Sequence, residues 1–159
     1  MDEIAIKISV FLRETRKSQG LDIRELSKRS GLSLGVISRI ERELESPGIQ
    51  TVVKLCNGFG ISPETLIKEL GLLGEMNFDL PVTTLSEAGS HLRNVRKSRR
   101  LTQMDVYRET GIFRNIQIRI EKGRMKRLSF AYLVELDQFF PGSNILPVFW
   151  AVYSNDSTR

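Results

Sequence analysis

Polar side chains that form paired hydrogen bonds are concentrated at residues 114–127 of this 159-residue chain. Arginine, asparagine and glutamine present donors and acceptors whose spacing matches the edges of nucleobases, and clustered cations pair with phosphates. These residue types suit a polyanionic partner that carries bases, whereas the alternative is a solvated charged loop without a ligand. The base-edge candidates are Arg114, Asn115, Gln117 and Arg119, and the phosphate candidates are Lys122, Arg124, Lys126 and Arg127.

No group of side chains suited to catalysis or to metal binding accompanies this cluster. Cys56 is the only cysteine and His91 is the only histidine, and they are separated by 34 intervening residues. No acid pair, nucleophile with an adjacent base, or metal-ligand spacing is visible in the sequence. We therefore expect a protein that is not an enzyme and that holds no metal or cofactor.

Charge is distributed unevenly along the chain. The net charge is +5, but residues 1–80 hold 11 Lys/Arg against 12 Asp/Glu, whereas residues 81–159 hold 13 against 7. The second half therefore carries a net charge of +6, which favours a polyanionic partner over a neutral one. A basic surface that faces only solvent remains the alternative.

The composition is typical of a soluble globular protein, with 40% hydrophobic and 27% charged residues. No apolar run approaches eighteen residues, and the N-terminus lacks the basic start and uninterrupted apolar core of a secretion signal. A single cysteine allows no intrachain disulfide. These features predict a cytoplasmic location and no membrane contact.

The elements that position the polar cluster belong to an internal repeat with a period of 80 residues. Residues 12–41 and 92–121 align without a gap and are identical at ten of thirty positions. Unrelated segments would match at about two such positions. The chain therefore contains a duplicated unit. The shared residues include Leu12/Leu92, Arg16/Arg96, Gly31/Gly111, Ile40/Ile120 and Glu41/Glu121.

Hydrophobic periodicity and capping residues predict five short helices in the first copy. Asp22 and Ser33 are suited to cap the second and third helices, and Gly31 to end the second. Pro63 occupies the first turn of the fifth. The predicted helices span residues 4–19, 23–30, 34–42, 49–59 and 62–70.

The second copy follows the same plan. Thr84 and Glu87 have the spacing of a capping box, and the apolar segment 144–153 either supplies a fifth helix or forms a subunit interface. The other predicted helices span residues 85–98, 103–110, 114–121 and 129–139. The predicted domains are 1–70 and 84–153, joined by a packed linker at 71–83 and followed by a frayed tail at 154–159.

The sequence LDIREL at 21–26, GLSLGVISRIE at 31–41, Pro47 and the segment IQTVV together resemble the phage-repressor/Cro (XRE) family of DNA-binding domains. The resemblance covers residues 8–67 and, more weakly, residues 85–140. It implies an all-α protein made of two tandem lambda-repressor-like helix-turn-helix domains of about five short helices each.

The resemblance also implies roles for buried and partly buried residues. Arg16 and Glu41 would form the ion pair that links the first helix of such a domain to the end of the third, and Arg96 and Glu121 would repeat it. Gln103 would contact a phosphate and support the third helix. The two glutamates are thus expected to be structural rather than catalytic.

Domains of this class place the third helix in the major groove of DNA. In the first copy, Arg39 has the fork that pairs with guanine, while Leu34 and Val36 suit thymine methyl groups. An apolar helix surface that binds another protein is the alternative. The predicted surface comprises Ser33, Leu34, Gly35, Val36, Ser38, Arg39 and Arg42.

Two residues of the second copy depart from the family pattern. Phe113 stands where a capping Ser or Thr is expected, and Gln117 stands where an Ile is usually buried. Either the third helix of this copy is rotated or the copy has drifted from DNA recognition.

Together these patterns predict a homodimeric protein that binds specific sequences of double-stranded DNA and regulates transcription, with repression favoured over activation. The alternative is a protein-binding module or an antitoxin-type regulator, in which one unit contacts a regulatory protein partner or mediates dimerisation.

Overall fold

The structure, a computed structural model, describes residues 3–72 and 74–156. Over these ranges the chain forms ten α-helices and no β-strand, which confirms the predicted all-α class. Among the described residues, no helix combines the length and apolar character needed to cross a bilayer.

The first five helices are short and are separated by tight turns. Asp22 accepts a hydrogen bond from the Glu25 amide at the start of the second helix, and Gly31 ends that helix with a φ of 72°. Glycine adopts this left-handed conformation without the strain that a Cβ atom brings. These helices are α1 (Glu3–Ser18), α2 (Ile23–Ser30), α3 (Leu34–Glu41), α4 (Ile49–Phe59) and α5 (Pro63–Glu69).

The next five helices repeat this order. The second and third of them begin and end 80 residues after α2 and α3. Thr84 and Glu87 form the predicted capping box at the start of the first. The helices are α6 (Leu85–Ser98), α7 (Gln103–Thr110), α8 (Arg114–Glu121), α9 (Phe130–Phe139) and α10 (Ile145–Asp156).

The chain divides into two compact units. The first comprises Met1–Leu73 with Ser129–Ala131, and the second comprises Gly74–Leu128 with Tyr132–Arg159. In the second unit, part of the predicted linker packs on α10. The rings of Phe78 and Trp150 meet edge to face, with their centroids 5.6 Å apart.

Each unit has its own core. In the first unit Leu12, Leu26, Ile37 and Ile40 are completely buried. In the second unit α6 supplies Ala88 and Leu92, and α8 supplies Ile120. Burying such side chains is the main force that holds these short helices together.

Helix α10 forms where the sequence predicts either a fifth helix or a subunit interface. Phe149 and Trp150 are 1% and 4% exposed, so the apolar tail is already covered within the chain and offers no free surface to a second subunit. The helix extends through Asp156 into the predicted frayed tail at 154–159. Residues 157–159 lie outside the described part of the chain.

A buried carboxylate holds the start of α10. Asp137 is 5% exposed and its Oδ1 accepts a hydrogen bond from the Leu146 amide at 3.1 Å. Burial raises the pKa of Asp137 above its usual value, and the hydrogen bonds from the Leu146 and Ile145 amides only partly oppose that shift.

Candidate nucleic-acid interface

The predicted ion pair of the first unit joins α1 to the end of α3. Arg16 donates from Nε to Glu41 Oε1 at 2.6 Å and from Nη2 to Oε2 at 3.1 Å. Its Nη1 also donates to the Leu21 carbonyl at 2.9 Å. The hydrogen bond to Glu41 raises the pKa of Arg16. A two-pronged contact of this kind fixes the angle between the helices.

The second unit repeats the pair with greater burial. Arg96 donates to the two carboxylate oxygens of Glu121 at 2.6 and 2.9 Å, and to the Leu101 carbonyl at 2.8 Å. The hydrogen bond to Glu121 likewise raises the pKa of Arg96. The two side chains are 10% and 5% exposed, compared with 14% and 9% for the pair in the first unit.

The backbones of α6 and α8 approach closely beside this pair. A Cβ atom on Gly89 would lie 2.6 Å from the Glu121 carbonyl oxygen, a distance that no real side chain tolerates. The corresponding residue of the first unit, Ser9, is buried and donates to the Ala5 carbonyl within α1. The absence of a side chain at Gly89 therefore sets the separation of α6 and α8.

Helix α8 is not rotated relative to its counterpart. Residues 111–121 repeat the pattern of exposed and buried positions found at 31–41. Gln117 therefore takes the buried place of Ile37 and is 1% exposed. Its Nε2 donates to the Ile112 carbonyl at 2.7 Å and to the Gln103 carbonyl at 2.9 Å.

The interpretation of Gln117 as a base-contacting residue is therefore wrong. Its Nε2 already donates to two backbone carbonyls inside the unit, and the side chain cannot turn outward to a ligand without losing both bonds. The same bonds explain how an amide replaces an isoleucine there without leaving a buried polar group unsatisfied.

The other predicted base-contacting residues of the second unit share one exposed surface. Arg114, Asn115 and Arg119 are exposed on α8. Gln103 lies between this surface and the buried ion pair, since its Nε2 donates to Glu121 Oε2 at 3.2 Å and its Oε1 accepts from Arg114 Nε at 3.4 Å. The ion pair thereby restrains the side chain of Arg114.

The predicted phosphate loop follows α8 directly. Lys122, Arg124, Lys126 and Arg127 are all exposed. Gly123 has a φ of 64°, and a Cβ atom there would lie 2.7 Å from the Ser86 amide nitrogen, so the turn is packed against the first turn of α6. The four cations are thus displayed from a loop whose base is fixed.

A basic groove between α6 and α7–α8 adds residues that were not predicted. Arg93, Lys97 and Arg100 line it together with Arg114 and Lys122. The acidic side chain among the groove-lining residues is Glu121, which Arg96 already neutralises. Arg93 and Lys97 lie one turn apart on α6, a spacing that is visible in the sequence, and Arg100 lies in the turn that follows the helix.

The corresponding surface of the first unit is less cationic. Leu34 is 46% exposed, and Ser33 caps α3 by accepting from the Val36 amide at 3.2 Å. Arg39 Nε donates to Glu45 Oε2 at 2.7 Å, so the guanidinium suited to guanine already has a partner. The other predicted residues are exposed at Gly35 and Arg42 and half-buried at Val36 and Ser38.

Phe113 begins α8 in an unusual way. It occupies the N-cap position without a side-chain hydrogen bond to the helix. Its ring is 59% exposed and stacks on Tyr107 of α7, with centroids 5.4 Å apart and planes inclined by 24°.

Comparison with known proteins identifies the first unit. Residues 12–66, about a third of the chain, match the family model described as helix-turn-helix, and the match does not extend to the second unit. No solved structure matches the chain significantly.

Curated relatives are similar over a comparable length. The chain is 40% identical over 58 residues to the HTH-type transcriptional regulator PuuR of Escherichia coli, which covers 36% of this chain and 31% of PuuR. It is 28% identical over 67 residues to the E. coli regulator SutR, which covers 42% and 38%.

An uncharacterized HTH-type transcriptional regulator of Mycobacterium tuberculosis is 30% identical over 63 residues, which covers 40% of this chain and 45% of that protein. The chain thus spans less than half the length of these curated relatives. Residues 12–66 thus match the helix-turn-helix model, and the chain is similar over a segment of about this length to bacterial transcriptional regulators.

Proposed function

We propose that the chain binds specific sequences of duplex DNA and regulates transcription, with repression favoured over activation. The helix-turn-helix match at residues 12–66 and the relatives named as transcriptional regulators support this function. For proteins of this kind the DNA lies in the bacterial cytoplasm, which is the compartment we propose.

The observation that carries the proposal is the surface of α8 in the second unit. Arg114, Asn115 and Arg119 are exposed together on a helix of eight residues, which is about 12 Å long. A helix of this size fits the major groove, where arginine pairs with guanine and asparagine with adenine.

Cations flank this surface on two sides. The basic groove contributes Arg93, Lys97 and Arg100, and the loop after α8 contributes the four exposed cations between Lys122 and Arg127. Contacts to phosphates position a reading helix on DNA and supply most of the affinity that does not depend on sequence. We therefore propose that the second unit is a helix-turn-helix domain that binds DNA more strongly than the first.

Homodimerisation stays a prediction, and the apolar tail no longer supports it. The apolar tail that motivated it is buried in α10. What still favours dimerisation is that each third helix contacts few base pairs, so a dimer with four such helices would contact a longer and more specific site than one chain with two. Sedimentation of the full chain with and without DNA measures the stoichiometry.

Selection of bound sequences from a random duplex library tests the proposal. The selected duplex should bind much more tightly than a scrambled duplex of equal length, and the affinity for both should fall as salt rises. Equal affinity for the selected and scrambled duplexes at every salt concentration would overturn sequence-specific recognition.

A second function is favoured by the exposed apolar residues of the first unit. Leu34 and Leu44 are 46% and 61% exposed, and Arg39 is neutralised by Glu45. Such a surface suits a regulatory protein partner, such as a toxin, better than it suits phosphates. If Leu34→Arg leaves DNA affinity and specificity unchanged but abolishes co-purification of a partner from the native host, α3 is a protein-binding surface.

A further inference from the structure

Phe113 combines two features that are unfavourable for stability. Its side chain forms no hydrogen bond to the first turn of α8, whereas Ser33 caps α3 at the equivalent position. Its ring also leaves a large apolar surface in water, being 59% exposed. A residue that neither caps the helix nor buries its apolar ring is expected to have a role in binding.

The ring is held in place rather than free to move. It stacks on Tyr107, which is half-buried on α7. The Phe113 carbonyl accepts hydrogen bonds from the amides of Ile116 and Gln117 at 3.0 and 3.1 Å, which fixes the backbone. Phe113 therefore presents a rigid apolar edge, and its contact with a ligand requires little loss of side-chain entropy.

The position of this edge defines what it can meet. Phe113 directly precedes Arg114 and Asn115, and all three residues are exposed at the N-terminal end of α8. The next two side chains along α8 are a cation and an amide, which disfavours an extended apolar partner. The major groove of DNA offers one apolar group at the base edges, the 5-methyl group of thymine.

We propose that Phe113 is a specificity-determining residue that contacts the 5-methyl group of a pyrimidine in the major groove. The inference rests on the proposed binding of duplex DNA by α8. Thymine is the standard base that carries this methyl group, and cytosine methylated at carbon 5 presents the same group at the same place. Sites that contain either base at this position should bind better than sites with unmodified cytosine.

Replacing each thymine of the selected duplex in turn by deoxyuridine tests the contact, because this change removes only the methyl group and keeps the base pairing. For the wild-type chain, affinity should fall by roughly fivefold at one or two positions, as expected for loss of one buried methyl group. Phe113→Ala should bind the unmodified duplex more weakly by a similar factor and should show no further loss at those positions.

Two further variants separate recognition from folding. Phe113→Ser restores a capping side chain, so it should melt no lower than the wild type while losing the response to uridine. Leu44→Ala truncates another exposed apolar residue, located after α3, and should leave the uridine response at wild-type size.

A uridine profile that is the same for the wild type and Phe113→Ala would overturn the inference. Loss of single-stranded DNA binding in that variant, with the duplex profile unchanged, would overturn it in favour of stacking on an unpaired base. If the wild type shows no preference for the selected duplex, the proposed function itself has failed, and this inference fails with it.

Discussion

The two units of this chain share a frame and differ in surface. Buried and exposed positions alternate identically in α3 and α8, and each unit locks its first helix to its third through an Arg–Glu pair. On the outer surface, Leu34 and Gly35 of the first unit correspond to Arg114 and Asn115 of the second. Buried residues thus set the angle of the third helix, while exposed residues independently set what it can bind.

In one unit, the buried ion pair is connected to an exposed side chain of the third helix. In the second unit Gln103 joins the buried Glu121 to the exposed Arg114. The corresponding residue in the first unit is Ile23, which has no polar group to offer. Only the second unit therefore links its ion pair to a candidate base-contacting side chain through this route.

The largest expected effect is loss of the second ion pair. Glu121→Ala leaves Arg96 charged and buried without its carboxylate, so it should destabilise the second unit by about 3–5 kcal/mol. Glu41→Ala should cost less, because its pair is more exposed and lacks the bond from a glutamine. Trp150, the only tryptophan, lies in α10 and reports unfolding of the second unit by fluorescence.

Glu121→Gln is the matched control, and the stability of its second unit should lie between those of Glu121→Ala and the wild type. An unchanged melting transition combined with a new DNA sequence preference would refute a structural role for the pair.

The next largest effect concerns the loop after α8. Changing Lys122, Arg124, Lys126 and Arg127 together to glutamine should reduce the slope of log affinity against log salt by about 3–4. Lys68→Gln, which removes one exposed cation on α5, should leave the slope at its wild-type value. If the quadruple variant keeps the full slope, the loop does not contact DNA.

Single arginines in the third helices should contribute unequally. Arg119→Ala should weaken specific binding by about 1–3 kcal/mol and relax the preference at one base position. Arg39→Ala should have a smaller effect, because Arg39 must first leave Glu45. Titration of both variants against the selected duplex measures the difference, and equal losses would remove this distinction between the units.

Changing Glu45 should bring the contribution of Arg39 to DNA binding closer to that of Arg119. Its equivalent in the second unit is Met125, which carries no charge. Glu45→Met should free Arg39 and raise DNA affinity by up to about fivefold, since an exposed ion pair is worth at most about 1 kcal/mol. Glu64→Gln on α5 removes an equal charge from another exposed position and should raise affinity less.

The smallest effect distinguishes the last helices of the two units. Ser62 caps α5 without a charge, whereas Asp137 holds the start of α10. Because burial raises the pKa of Asp137 in the folded state, its favourable contribution is complete below the unfolded pKa and is lost as pH rises through the folded pKa. Asp137→Asn should therefore raise the melting temperature slightly at pH 7 and give no gain near pH 3. A gain of equal size at both pH values would contradict a titrating carboxylate.

Local signals in the sequence were sufficient to predict the helices around the candidate site. Thr102 caps α7, Gly111 ends it, and both α7 and α8 span the predicted residues because such signals act within one turn. Such local signals did not predict the burial of Gln117, although the family pattern places a buried Ile at this position. A glutamine suggests an exposed surface, and only the folded backbone brings two carbonyl groups to its amide.

The partner of Arg39 was missed for a related reason. Glu45 lies six residues along the chain, beyond the end of α3, so the helical periods that pair side chains do not apply. Arg93 and Lys97 were not predicted although they lie one helical turn apart, because they belong to the first helix of the second unit and not to its third helix or the loop after it.

The close contact at Gly89 has a consequence for how the two units can evolve. Any side chain introduced there must push α6 away from α8 and so tilt every residue that α8 presents. The first unit tolerates a serine at the matching position. The second unit therefore holds α8 at a distance from α6 that is compatible only with glycine at position 89. A record of accepted substitutions in descendants of this chain should show variation at position 9 and none at position 89.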